Sequence, residues 1–172
     1  MKNQNMTRST ALLALLSLTL LAALPAHAHG ERHHGKAAAT ISDEEHVFGR
    51  QGDPKKVRRT IKVDMNDAMR FAPAEITVRQ GETVRFVVTN SGKLMHEMVL
   101  GTMEQLKEHG ELMKKFPDME HDDPYMVHVE PGKQEEMVWQ FTKPGEFYFG
   151  CLLPGHFEAG MVGKIIVTNA RK

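Results

Sequence analysis

Between residues 60 and 169 the chain is cut into eight short segments of strand character: "TIKVDM", "EITVRQ", "TVRFVVTN", "HEMVLG", "YMVHVE", "EMVWQF", "EFYFGC" and "GKIIVTN". Most are bounded by turn residues such as Gln80-Gly81, Asn90-Ser91-Gly92, Pro131-Gly132 and Pro144-Gly145. Short strands punctuated this often predict an all-β sandwich or barrel rather than a βαβ fold. The exception is residues 102–117, where Met103, Leu106, Leu112, Met113 and Phe116 predict a short helical insertion in spite of Gly110.

Ahead of this region stands "MKNQNMTRSTALLALLSLTLLAALPAHAHG". Lys2 and Arg8 precede an apolar run that ends in Pro25 and the small residues Ala26 and Ala28, the pattern of a cleavable secretory signal over residues 1–28. The run is short for a bilayer span, and nothing later is apolar enough to be one. The expected mature protein is therefore soluble outside the cytoplasm, in the periplasm if the source is Gram-negative. Losing Lys2 and Arg8 leaves 20 basic against 22 acidic residues, a balance that gives no reason to expect nucleic acid or an acidic membrane as partner. Residues 29–59, rich in His, Gly and charge, read as a flexible arm, and residues 60–169 as one domain.

The chain has a single cysteine, so an exported form cannot close an internal disulfide. Cys151 ends "EFYFGC", where alternation places it on the same face as Phe147 and Phe149. His156 follows in "LLPGHFEAGM", and Met161 precedes the last strand. Thiolate and thioether favour copper and other soft ions, and a His₂Cys set with a distant axial Met is the arrangement of blue-copper sites. The second histidine is best supplied by His96, which alternation in "LMHEMVL" groups with Met98 and Leu100 and opposes to Glu97.

These residues, with "RFAPAEITVRQGETVRFVVTNSGKLMHEMVL" and "KPGEFYFGCLLPGHFEAGMVGKIIV", resemble the cupredoxin family. The resemblance implies a Greek-key β-sandwich with one type 1 copper held by His96, Cys151, His156 and Met161. Small cupredoxins often carry Asn after the first ligand histidine, where it ties down the cysteine loop; here the residue is Glu97. The Cys-x₄-His-x₄-Met spacing is also similar to the type 1 loop of multicopper oxidases. Those flank the cysteine with histidines, whereas this chain has Gly150 and Leu152 and no His-x-His pair.

Four protein ligands leave no open position for a substrate, so the expected role is not enzymatic. One reading is periplasmic copper tolerance, with accessory copper ligands in the arm (His29, His33, His34) and among the thioethers of Met103, Met113 and Met119. Met65, Met69 and Met95 also fall in polar or turn-rich sequence. The alternative is a soluble one-electron carrier whose redox partner docks near His156 on an apolar rim of Leu152, Leu153, Pro154 and Phe157.

Overall fold

The computed structural model describes residues 41–116 and 122–170. The strands in chain order are β1 (Glu45–His46), β2 (Gly49–Gln51), β3 (Arg59–Asn66), β4 (Arg70–Ala72), β5 (Glu75–Arg79), β6 (Thr83–Asn90), β7 (His96–Gly101), β8 (Met126–Val129), β9 (Gln134–Gln140), β10 (Gly145–Gly150) and β11 (Val162–Thr168). One helix, α1 (Met103–Lys115), lies between β7 and β8. The strands form a six-stranded sheet ordered β1-β2-β9-β6-β3-β4 and a five-stranded sheet ordered β5-β11-β10-β7-β8. The chain crosses from one sheet to the other after β4, β5, β6, β8 and β9. This makes β3 and β6, and β5 and β11, parallel neighbours among otherwise antiparallel pairs.

Side-chain alternation explains why the sheets stack. In β5, Ile76 and Val78 point inward between exposed neighbours, and in β11 Ile165 and Val167 do the same. They meet Val63, Phe86, Val88 and Trp139 of the other sheet in one apolar cluster, the arrangement expected of two packed β-faces. Phe149 lies across Gly163, its partner in the β10–β11 ladder, where any Cβ would run into the ring. That close approach seats an aromatic ring two residues before Cys151.

All eight strand segments read from the sequence are present. Helix α1, the short insertion expected over 102–117, has 13 residues, and both its ends and one face are satisfied. The Thr102 hydroxyl accepts from Gln105 N–H at 3.2 Å, and Gln105 Oε1 accepts from Thr102 N–H at 3.0 Å, a capping box. Lys114 and Lys115 suit the negative end of the dipole. Leu106 and Met113 face inward and form a second apolar cluster with Val99, Met126 and Leu152.

Residues 41–59, read from the sequence as part of an arm over 29–59, are folded. Residues from 41 onward already belong to the folded unit, and β1 and β2 extend the larger sheet alongside β9. Phe48, between them, is buried, stacks on Trp139 with ring centroids 5.3 Å apart, and offers its carbonyl to Trp139 Nε1 at 3.0 Å. The composition of this stretch concealed one aromatic anchor that pays the ordering cost of its polar neighbours. Replacing a buried Phe by Ala costs about 3–5 kcal/mol. Phe48→Ala is expected to lose that amount in denaturant unfolding; a loss below about 1 kcal/mol would return residues 41–51 to the arm.

Candidate metal centre

The site forms where β7 begins and β10 ends. These strands are antiparallel neighbours, with Leu100 opposite Phe149 and Val99 opposite Gly150. Cys151 directly follows Gly150, and His96 stands three residues before Val99 on the paired strand. His96 and Cys151 are both fully buried.

After Cys151 the chain makes a compact turn closed by its own backbone. His156 N–H donates to the Leu153 carbonyl at 3.0 Å, Ala159 N–H to Gly155 at 3.1 Å and Gly160 N–H to Phe157 at 2.9 Å. Gly160 adopts φ +92°, a left-handed conformation, and Arg70 spans the turn with Nη1 donating to the Ala159 carbonyl at 2.8 Å. Met161 is fully buried and closes the loop from both sides. Its N–H donates to the His156 carbonyl at 3.0 Å, and its carbonyl accepts from Cys151 N–H at 3.1 Å.

The result is a convergence of three donor atoms. His156 Nδ1 lies 3.2 Å from Cys151 Sγ and 3.2 Å from His96 Nδ1. All three residues present ligand atoms within 4.8 Å of one another, and among the described residues this is the group of metal-ligand type that does so. Two imidazole nitrogens and a sulfur brought this close present lone pairs to the same point, which a soft or borderline cation resolves. The donor set fits copper.

A carboxylate orients the first imidazole. Asp67, in the β3–β4 turn, accepts from the backbone N–H groups of Lys93 and Leu94 at 2.8 and 3.2 Å, and its Oδ1 lies 3.2 Å from His96 Nε2. With Nε2–H donated to Asp67, His96 has its Nδ1 lone pair free for an ion. The Lys93 N–H bond leads the causes that hold Asp67 below the usual carboxylate range. Asp67 was missed in the sequence because it stands in the polar run "MNDAM", 29 residues before its partner. Glu97, by contrast, makes the link that Asn makes in small cupredoxins: it is buried, and its Oε1 accepts from Leu152 N–H at 2.7 Å.

The sequence profile of the copper-binding proteins of the plastocyanin/azurin family matches residues 57–168. This chain belongs to that family. A protein of *Rubrivivax gelatinosus* described as copper-resistant cuproprotein CopI is 51% identical over 167 residues, covering 97% of this chain and 99% of the relative. A *Pseudomonas aeruginosa* protein of the same description is 37% identical, covering 70% of this chain and 82% of the relative. Among solved structures, auracyanin B superposes with TM-score 0.60 at 20% identity, covering 70% of this chain and 96% of that one, a likeness of fold. The protein is an all-β cupredoxin that binds copper.

The other residues singled out in the sequence fare differently. Met113 is buried in the helix-side cluster and Met65 in the main core, so both fill apolar space. Met69 and Met103 are half-buried and Met95 is exposed. His29, His33, His34 and Met119 lie outside the described residues. Leu152 belongs to the helix-side core instead of the apolar rim, while Leu153 and Phe157 are half-buried and Pro154 is exposed. Leu94 and Met95, which precede His96, are exposed apolar residues that the rim had omitted.

Burial pushes the Cys151 thiol up to about 12, opposed in part by the backbone N–H of Glu97. Burial and the neighbouring His96 hold His156 below its ordinary value, so it is neutral at pH 7. A metal that takes the thiolate must therefore displace a proton from sulfur. Cu(II) loading at pH 7 is expected to release that proton into a weakly buffered dye solution, and Cys151→Ser to abolish this release. Loading of the native protein without proton release would remove Cys151 from the donor set.

Proposed function

We propose that this cupredoxin is exported by a cleavable signal over residues 1–28 and acts in periplasmic copper tolerance through one redox-active type 1 copper site. His96 Nδ1, Cys151 Sγ and His156 Nδ1 are the proposed primary ligands, and Met161 the proposed weaker fourth. The convergence of these three donor atoms at the buried end of the sandwich carries the reading. Tolerance is favoured over other copper roles by relatives that bear a copper-resistance description over nearly the full length of this chain.

Bound copper supplies one-electron chemistry. The chain's own part is to hold the donors in one arrangement for both oxidation states. Asp67 fixes the His96 ring, the hydrogen-bonded turn fixes His156, and the core around Phe149 fixes Cys151. Little has to move when the charge changes. A site whose positions are filled by protein side chains has no place for a substrate, so the role proposed is that of a binding protein, not an enzyme. The arm histidines His29, His33 and His34, with Met103 and Met119, are proposed as weaker accessory ligands; Met113, being buried, is the least suited of the set.

The second reading is a one-electron carrier. It is favoured by the half-buried His156 turn beside exposed Pro154, and by exposed Leu94 and Met95 before His96, which offer a partner an apolar approach. A strain lacking the protein separates the two. Under the tolerance reading it grows poorly at raised copper, respires normally at trace copper, and is rescued by the native gene but not by Cys151→Ser. Unchanged copper sensitivity together with impaired electron transfer to a terminal acceptor would replace tolerance with the carrier role.

Met161 is expected to tune the centre more than hold it, because an axial thioether is a weak and distant donor. Met161→Leu should keep the visible copper band and raise the reduction potential in a spectroelectrochemical titration, since a donor that favours Cu(II) is lost. Failure of this variant to take up copper would make Met161 a primary ligand.

A further inference from the structure

Glu97 occupies the position after His96, and its side chain leaves β7 on the opposite face, toward the helix-side core. It is 1% exposed. A carboxylate in such a place must be held by polar partners, since burying an uncompensated charge is strongly unfavourable. Two partners are within reach, on different elements. Oε1 accepts from Leu152 N–H at 2.7 Å, a short charge-assisted bond to the residue directly after Cys151. Oε2 lies 2.9 Å from Nε2 of His128, whose side chain is 36% exposed. This contact is no accident of a mobile surface group, because His128 is the residue paired with Glu97 across the β7–β8 ladder. Oε2 makes no conventional hydrogen bond, so the contact is one of proximity.

We propose that Glu97 and His128 act as a positioning pair for the copper centre. Glu97 ties the backbone after Cys151 to the strand that carries His96, and the His128 ring, from the neighbouring strand β8, limits by close contact where the second carboxylate oxygen can sit. The inference rests on the copper reading above and deepens it. An amide at position 97 makes the loop bond without a charge. A carboxylate also places a negative charge close to the metal, which favours the more positive oxidised state. His128 thus influences the centre without touching any ligand, through the orientation and charge of Glu97.

The test uses Glu97→Gln, Glu97→Ala, His128→Ala and the double variant, each made in the full mature chain. The first readout is amide exchange of Leu152 in the metal-free protein by NMR. The second is the visible band and reduction potential after Cu(II) loading. Glu97→Gln keeps an oxygen for Leu152 and removes the charge, so it is expected to retain the band and raise the potential. Glu97→Ala should speed Leu152 exchange by roughly tenfold or more and displace the band. His128→Ala should also speed that exchange, by less, and should add nothing in the Glu97→Ala background, as expected for two residues that act through one contact. Native exchange, band and potential in both Glu97 variants would overturn the proposal. Additive effects of the Glu97→Ala and His128→Ala changes would overturn the part given to His128. Should Glu97→Ala fail to fold, Glu97→Gln and His128→Ala carry the same comparison. If the native protein takes no copper, the copper reading fails, yet Leu152 exchange still decides whether the pair holds the loop.

Discussion

The register of β10 against β7 is the constraint on which the centre depends. A slip of one residue would turn Cys151 out of the core and His96 to the opposite face, because side chains alternate with period two. The register is held by what lies on both faces of these strands. Phe149 and Leu100 are packed into the main core on one side, and Val99 into the helix-side cluster on the other. The two apolar clusters therefore do more than stabilise the sandwich. They leave the thiol and the imidazole one place to be.

Polar groups complete what packing begins. Two carboxylates support the centre from different directions: Asp67 reaches His96 from the β3–β4 turn, and Glu97 reaches the backbone after Cys151 from β7 itself. Each also accepts from backbone N–H, so each is anchored before it orients anything. This is the pattern in which outer partners determine how ligands present themselves to a metal. It also surrounds a prospective copper ion with negative charge, in a site where burial otherwise disfavours ionised sulfur. The metal and the thiolate consequently stabilise each other, and neither charge is well accommodated alone.

Helix α1 belongs to the same logic. It is inserted between the two strands that carry His96 and His128, and its Leu106 and Met113 cover Leu152. Residues that look like a soft-metal surface in the sequence are divided by this helix into buried and accessible ones. Met113 becomes packing, and Met103, at the first turn, stays partly open.

The architecture and the convergence of His96, Cys151 and His156 were legible in the residue order because both depend on local periodicity. Alternation in "EFYFGC" and "LMHEMVL" assigns Cys151 and His96 to inward faces, turn pairs bound the strands, and the Cys-His-Met spacing stays within one loop. Contacts between residues distant in the chain were not legible. Asp67 meets His96 only because β3 ends and β7 begins at the same pole of the sandwich, and nothing in "MNDAM" announces it. Phe48 joins the core only through the pairing of β2 with β9, so its polar neighbourhood read as an arm. Glu97 was visible as a departure from Asn, but its function depends on the Leu152 N–H and His128 that folding brings to it. Periodicity states which way a side chain points; what it meets there is decided by the pairing of strands far apart in the chain, where each contact depends on the whole arrangement of the two sheets.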